Sequence, residues 1–599
     1  MCGIIGYAGG RDTAEVLLGG LKKLEYRGYD SAGIALTQNS VIKIYKNKGK
    51  VAALASQVTT ENTYGAGPGI GHTRWATHGA PGDVNAHPHR CGRVVLVHNG
   101  IIENEQALRQ KLEKEGLSPI SETDTELIAM LIDRYYTGDP QAAIRKAAAQ
   151  LEGSYALAIL FEDQPGNIYA LRKDSPLVIG RGKEENLIAS DIPAILEYTR
   201  DYWLMEEGEL AVLTADRVVF TDREGRPIEK TLHTADWNEQ SAQKGGYPHF
   251  MAKEIAEQPE AIRKTVSRYY RNGALLPELG TDFTVGGTLR IVACGSAYHA
   301  GLMGKYVIER LARLPVTVEQ ASEFRYADPI LAKKDLVVII SQSGETADSL
   351  AALRLAKERG LSTLGIVNVW GSTLAREADK VLYTVAGPEI SVATTKAYSC
   401  QVTLLYMLAL RLAKEQLSPA EFAKKCEHLQ QLSHYVDRAL EQEDICKQTA
   451  THFKDAEHLF FIGRGQDHYI GCEASLKLKE ISYIHSEAYA AGELKHGTIS
   501  LIEPGTPVAA MMTDRERFLK SAANIREVRA RGARVLCITH RDIDTTGIAD
   551  YRLELPDCPD FFAPIPAVVL TQLFAYHVAT ARGNDVDQPR NLAKSVTVE

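Results

Sequence analysis

Between residues 289 and 514 the chain writes one pattern twice. An apolar run, LRIVACGSAYHAG (289–301), passes through a glycine turn into a helix and on to a second apolar run, DLVVIISQSGET (335–346). HLFFIGRGQDHYIG (458–471) and TPVAAMMTD (506–514) follow in the same order at similar spacing. A strand that is apolar at successive positions is buried on both faces, and helices must cover it, so the pattern demands parallel α/β sheet. The repetition predicts two tandem α/β subdomains of about 150 residues each.

The first 238 residues or so are patterned differently. Stretches at 3–8, 31–37, 41–45, 69–75, 93–98, 154–162 and 167–172 are β-rich and broken by Gly, Asn or Asp turns. Helical periodicity is confined to 104–115, 124–136 and 140–151. Strands clustered in this way predict an antiparallel α+β domain. The polar, Gly-rich stretch 237–247 reads as a linker. The expected division is therefore 1–238, a linker at 239–248, subdomains at 249–440 and 441–586, and a tail at 587–599.

Charge and cysteine content narrow the setting. With 68 Lys+Arg against 76 Asp+Glu, the formal net charge is -8 and no long run has one sign. That excludes a chain-wide nucleic-acid footprint and leaves room for a local anion pocket. No apolar run reads as the roughly 18 residues a bilayer span needs, the best being 404–410, cut short by Arg411. The start, MCGIIGYAGGRD, lacks the basic and apolar regions of a signal peptide. Nine cysteines stand singly, with no CxxC, which fits a reduced, cytoplasmic protein.

Cys2 is the exception among them. Removal of Met1 would leave a cysteine with a free α-amine, joining a nucleophile to a base of near-neutral pKa. The alternative is a small buried residue at a strand start. GHTRWATHG (71–79) puts Arg74, Trp75, Thr77 and His78 on one turn after a strand. VHNG (97–100) offers an Asn side chain and a Gly amide as oxyanion donors, or a simple hairpin turn. SETDTE (121–126) puts Asp124 at a helix start, where it could bind an ammonium group or merely cap the helix. The histidines at 72, 78, 87, 89 and 98 do not share a helix face at metal-ligand spacing, so no metal is expected.

Together MCGIIGY, RGYDSAG (27–33), GHTRWATHG, NAHPH (85–89), HNGIIEN and SETDTE resemble the glutamine amidotransferase domain with an N-terminal cysteine nucleophile, in order and across essentially all of 1–238. The resemblance implies that Cys2 attacks the glutamine carboxamide and that Asn99 and Gly100 hold the oxyanion. It implies that Arg74, Thr77, His78 and Asp124 bind glutamine, with Arg74 on its carboxylate and Asp124 on its ammonium. Trp75 would gate the ammonia path.

In the second half, SQSGETADS (341–349) follows an apolar strand and opens a helix. Hydroxyls and helix amides at a strand's carboxyl end make a phosphate site, although Ser343 or Thr346 could serve only as caps. SLKLKEISYIHSEAYAAGELKHG (475–497) gathers Lys477, Glu480 and His496; Lys477 and Glu480 share a helix face, which could also be a solvated one. Lys594, near the chain end, could be no more than a solvated charge.

With CGS (294–296), SVATTKAY (391–398) and PRNLAKSVTVE (589–599), these motifs resemble the isomerising glutamine–fructose-6-phosphate aminotransferase family over nearly the whole chain. The resemblance implies a glutaminase domain of antiparallel sheets layered with helices, followed by two sugar-isomerase subdomains with parallel sheets. Its sugar phosphate would be held by Cys294, Gly295, Ser341, Gln342, Ser343, Thr346, Val392 and Thr394. Lys594 would form a Schiff base at C2 of fructose 6-phosphate, and Glu480 would move a proton from C1 to C2 beside Lys477. His496 would assist ring opening. Glutamine and fructose 6-phosphate are the implied substrates, and a homodimer the implied assembly. No cofactor is needed, because Lys594 supplies the imine itself.

Two positions depart from the family pattern. Ser296 and Ala297 stand where Thr-Ser is common, and Thr394 stands where Ser is frequent. A phosphoribosyl-transferring amidotransferase would need a strand ending in paired acids, which the second half lacks. A non-catalytic sugar-phosphate sensor would dispense with Glu480, His496 or Lys594, and all three are present.

Overall fold

The computed structural model describes residues 2–60, 65–235, 243–280 and 285–597. Two compact units emerge: one from the chain up to residue 242 together with the segment from Ala593, the other from Gln243 to Leu592. Residues 239–242 of the expected linker lie outside the described residues.

The first unit holds two antiparallel sheets. One has eight strands, with Gly3–Ala8 and Gly69–Arg74 side by side at its centre; the other has seven, with Val94–Ile102 beside Gly153–Phe161. Period-two alternation explains the layering. In Gly3–Ala8, Ile5 and Tyr7 pack toward the helices Thr13–Leu24 and Val51–Thr60. Ile4 and Ala8 join Val95, Val97, Ala156 and Ala158 of the other sheet. There Val94 and Leu96 turn the opposite way, toward the helices Glu105–Lys114, Asp124–Tyr135 and Pro140–Ala148. The result is helix, sheet, sheet, helix.

The second unit bears out the tandem repeat. Its first parallel sheet runs Val316–Gln320, Leu289–Ala293, Leu336–Ser341, Ser362–Val367, Lys380–Tyr383. Its second runs His485–Ala490, His458–Gly463, Pro507–Met512, Arg534–His540, Tyr551–Leu555. Both therefore have the order 2-1-3-4-5, a doubly wound sheet with a crevice between its first and third strands. Helices from both repeats share one core, with Ala300, Met303 and Val307 beside Leu405, Ala474, Leu478 and Phe574. Leu404, Leu405, Leu408 and Leu410 are fully buried, each worth roughly 1.5–3 kcal/mol relative to exposure.

One helix corrects the sequence reading of apolar runs. Pro564–Ala581 is long and apolar enough to cross a bilayer by length and composition. It is 89% buried in the unit, which makes it a core helix.

Candidate active sites

In the first unit Cys2 opens the strand Gly3–Ala8 and is half-buried. The neighbouring glycine is required, because a Cβ on Gly3 would meet Thr73 Oγ1 at 2.7 Å and Leu24 Cβ at 2.8 Å. The Cys2 thiol lies against the turn that follows Gly69–Arg74: Trp75 N–H donates to Sγ at 3.4 Å, and Sγ is 3.6 Å from Trp75 O. The Cys2 carbonyl accepts from Arg27 Nε at 3.1 Å and from Asn99 Nδ2 at 3.0 Å.

Asn99 and Gly100 do not form a hairpin. They lie inside the strand Val94–Ile102, opposite Ala156 and Tyr155. The strand continues through them because Gly100 takes φ +137°, where a Cβ would sit 2.0 Å from Ser154 O. Asn99 is buried, and its Nδ2 also donates to Ser190 Oγ at 2.7 Å. Asp124 does not cap its helix either. Thr123 does so, accepting from Glu126 N–H, and Asp124 Oδ2 accepts from Ile102 N–H at 3.0 Å.

Arg74 is 3% exposed. Its Nη2 donates to the carbonyls of His78 and Gly79, whereas its buried Nη1 has no hydrogen-bond partner among the described residues. Burial pulls its pKa down, against the pull of Cys2 and Asp124. A buried guanidinium with an unused donor is costly alone and suits an anion such as a carboxylate. Thr77 is exposed and His78 half-buried on the same turn. The histidines are not arranged as ligands: His72 and His87 stack at 4.0 Å, and His98 Nδ1 lies 3.0 Å from Thr125 Oγ1.

In the second unit the switch-point crevice gathers most of the predicted phosphate residues. Cys294 and Gly295 leave the first strand, Gly295 at φ +54°. Ser341 ends the third strand; its Oγ accepts from Gly344 N–H at 3.0 Å and lies 3.1 Å from Thr346 Oγ1. Gln342 and Ser343 are half-buried in the same loop. Thr346 occupies the N-cap position of Ala347–Glu358 without a side-chain cap bond, so hydroxyls and first-turn amides stand together. Burial raises the Cys294 thiol's pKa, which keeps it neutral. Val392 and Thr394 lie in another loop, fixed where Val392 N–H donates to Asp587 O at 3.1 Å.

Lys477 and Glu480 are not a solvated pair. Lys477 is 1% exposed and its Nζ is 2.6 Å from Glu480 Oε2. Burial works against its charge, but Glu480 and Glu473 outweigh burial and hold its pKa above the ordinary lysine range. His496 is exposed at the end of the turn Glu493–His496, with no side-chain hydrogen bond or ion pair among the described residues. Lys594 is half-buried in the terminal segment grouped with the first unit.

The second repeat fills its own switch point. Asp467 accepts from Thr513 N–H at 3.1 Å and Thr513 Oγ1 at 2.6 Å, and Gln466 Nε2 donates to Thr513 Oγ1 at 2.9 Å.

Residues 72–197 match the glutamine amidotransferase domain, and residues 285–411 and 452–582 each match the SIS domain. The isomerising glutamine–fructose-6-phosphate aminotransferase of Clostridium tetani is 48% identical over 100% of both chains. That of Symbiobacterium thermophilum is 50% identical, again over 100% of both. This chain belongs to the isomerising glutamine–fructose-6-phosphate aminotransferase family. Its second half is similar in structure to the C-terminal domain of the Francisella tularensis family member, at 41% identity and TM-score 0.56, over 58% of this chain and 100% of that one.

Within this family member, three residues outside the predicted set contact the predicted site residues. Ser190 lies between Ile4 N–H and Asn99 Nδ2, at 2.7 Å from each. Arg27 reaches Asp191 while holding the Cys2 carbonyl. Glu473 is buried between the repeats beside Ser296 and Lys477. A lone serine or glutamate at such sequence distances gives no local signal; only the helical i,i+4 spacing of Glu473 and Lys477 could have pointed to one of them.

Proposed function

We propose that the chain converts L-glutamine and D-fructose 6-phosphate to L-glutamate and D-glucosamine 6-phosphate, the first step of amino-sugar synthesis. The observation that carries this reading is the end-to-end match to relatives bearing that name, which spans the glutaminase and sugar-isomerase halves together.

In the first unit the Cys2 thiolate adds to the glutamine carboxamide, ammonia leaves as the C–N bond breaks, and water hydrolyses the thioester. The oxyanion takes hydrogen bonds from Asn99 Nδ2 and Gly100 N–H. Arg74 Nη1 meets the substrate carboxylate and Asp124 its ammonium, with Thr77 and His78 on the rim. The α-amine of Cys2 serves as base once Met1 is removed; Met1 lies outside the described residues.

In the second unit the Ser341–Thr346 loop, with Gln342 and Ser343, holds the phosphate, and Cys294, Gly295, Val392 and Thr394 line the sugar. Lys594 condenses with the C2 ketone and releases water, and ammonia displaces it from the imine. Glu480 then carries the proton from C1 to C2, with Lys477 charged beside it; His496 assists the ring opening that exposes the C2 ketone beforehand. Water consumed at the thioester equals water released at the imine, so the sum is two substrates to two products. Ammonia kept within one chain escapes protonation and dilution, with Trp75 as the gate.

The reading includes a cytoplasmic homodimer. All nine cysteines are free thiols, which supports a reducing compartment. The matches at 72–197, 285–411 and 452–582 support one domain of the first kind followed by two of the second; the bounds 1–238, 249–440 and 441–586, with 239–248 as linker and 587–599 as tail, are part of the proposed reading.

The test is product formation by purified protein. Glucosamine 6-phosphate by mass spectrometry from glutamine and fructose 6-phosphate is expected. Its absence, or a tenfold preference for another sugar phosphate, would overturn the reading. Light scattering should give twice the chain mass.

A further inference from the structure

Glu473 has no solvent exposure. Three side chains meet its carboxylate. Ser296 Oγ donates to Oε1 at 2.9 Å, His299 Nδ1 lies 2.9 Å from Oε2, and Lys477 Nζ lies 3.6 Å from Oε1. Lys477 in turn reaches Glu480 at 2.6 Å. Helical spacing builds this chain of contacts. Glu473, Lys477 and Glu480 stand at i, i+4 and i+7 on Gln466–Ser482, whereas Ser296 and His299 stand at i and i+3 on Gly295–Ala312. One helix comes from each repeat, so the contact joins the phosphate-loop repeat to the Lys477–Glu480 repeat.

An ionised carboxylate only accepts hydrogen bonds, so His299 Nδ1 carries its proton toward Glu473. Ser296 and His299 thus occupy one oxygen each. The consequence lies with Lys477, a buried cation between two carboxylates. Where its ammonium rests depends on how much of Glu473's charge other donors satisfy. With Glu473 held from the first repeat, Lys477 sits at 2.6 Å from Glu480 and 3.6 Å from Glu473. Without His299, Glu473 would be one donor short and would draw Lys477 to itself.

We propose that His299 is a positioning residue for the proton transfer at Glu480: by satisfying Glu473 Oε2 it leaves Lys477 directed at Glu480. The proposal rests on the reading of Glu480 given above. His299 does not touch the reacting atoms in this account. It acts through two intervening side chains, and it couples the sugar-phosphate repeat to the acid–base pair.

The experiment compares His299→Leu, which removes the donor, with His299→Asn, whose Nδ2 stands where imidazole Nδ1 stood. The readout is isomerisation of fructose 6-phosphate to glucose 6-phosphate without glutamine. His299→Leu should lower kcat about tenfold or more, with KM changed less than twofold, and His299→Asn should recover most of the loss. Glutamine hydrolysis serves as the folding control and should be unchanged in both.

Equal kcat in wild type and His299→Leu, or equal losses in the two variants, would overturn the proposal. Should His299→Leu fail to fold, it is combined with Glu473→Gln, which removes the buried charge. There the additional loss should be less than threefold, and a full tenfold further loss would overturn the proposal. A wild-type protein that does not isomerise the sugar would instead overturn the functional reading.

Discussion

His72 Nε2 lies 3.1 Å from Asn99 Oδ1 and 2.9 Å from the His98 carbonyl. Both neighbours are acceptors, so this nitrogen carries the proton and Asn99 must turn its amide nitrogen the other way, toward Cys2 and Ser190. A buried imidazole thus selects which end of Asn99 faces the Cys2 carbonyl. Replacing His72 by Leu should lower kcat for glutamine hydrolysis about 10²-fold, the cost of one misdirected oxyanion donor. KM for glutamine and alkylation of Cys2 by iodoacetamide should change little. Steady-state glutamate release and labelling rates check this; loss of labelling would point to collapse of the site.

The two chemistries should separate by mutation. Cys2→Ala is expected to abolish glutamate release and spare sugar isomerisation. Lys594→Ala should do the reverse, keeping at least part of the glutaminase rate. Parallel assays of glutamate and glucose 6-phosphate measure both, and loss of both activities in either variant contradicts this division.

Gly100→Ala tests the backbone at the proposed oxyanion site. A methyl group would lie 2.0 Å from Ser154 O at a φ of +137°, and a strained position of this kind costs about 1–3 kcal/mol before any clash is relieved. Thermal unfolding should move down, and glutamine turnover should fall further than stability alone explains. A variant with wild-type turnover would show that the Gly100 amide is not a donor to the substrate.

Lys477→Met would leave the buried Glu473 and the half-buried Glu480 without their shared cation. Breaking a buried pair from one side costs about 3–5 kcal/mol, so both stability and isomerisation should fall. Adding Glu473→Gln should recover stability but not activity, as denaturant unfolding alongside the sugar assay will show.

Acid should weaken the first unit. Burial lowers the pKa of His72 to about 3, pushes His87 and His89 well below their ordinary range, and lowers His98. These folded-state values lie below the unfolded 6.5, so stability is full above about pH 6.5. It falls as pH drops, because the unfolded chain takes up protons that the folded unit refuses. At pH 5, about 1.5 units below 6.5, His72 alone accounts for about 2 kcal/mol. Calorimetry from pH 7 to 5 should show the melting temperature falling; a flat profile would count against neutral buried histidines.

The fold was largely legible because its signals are local. Continuous apolar runs such as Leu336–Ser341 encode a sheet buried on both faces, and their recurrence encodes the second copy. Cys2, Arg74 and Ser341 announced themselves through motifs at strand ends. What stayed hidden was made by tertiary approach. Asn99–Gly100 reads as a turn until Tyr155 and Ala156 pair with it. Lys477 reads as a surface charge until the helix Gln466–Ser482 is packed on both sides. Pro564–Ala581 was missed for the opposite reason: scattered Thr, Gln, Tyr and His residues disguise an apolar helix in which Thr571, Gln572, Tyr576 and His577 are themselves buried.

The two crevices made by one repeated topology have had different fates. In the second copy Asp467, Thr513 and Gln466 answer one another, and that copy is its own ligand. In the first copy the corresponding loop keeps hydroxyls and first-turn amides together at Ser341–Thr346, the group to which the phosphate is assigned in the proposed reading. Sugar phosphate should therefore slow amide exchange around 341–346 and leave 511–517 as it was. The duplicated domain keeps the topology with its switch point already taken by its own side chains.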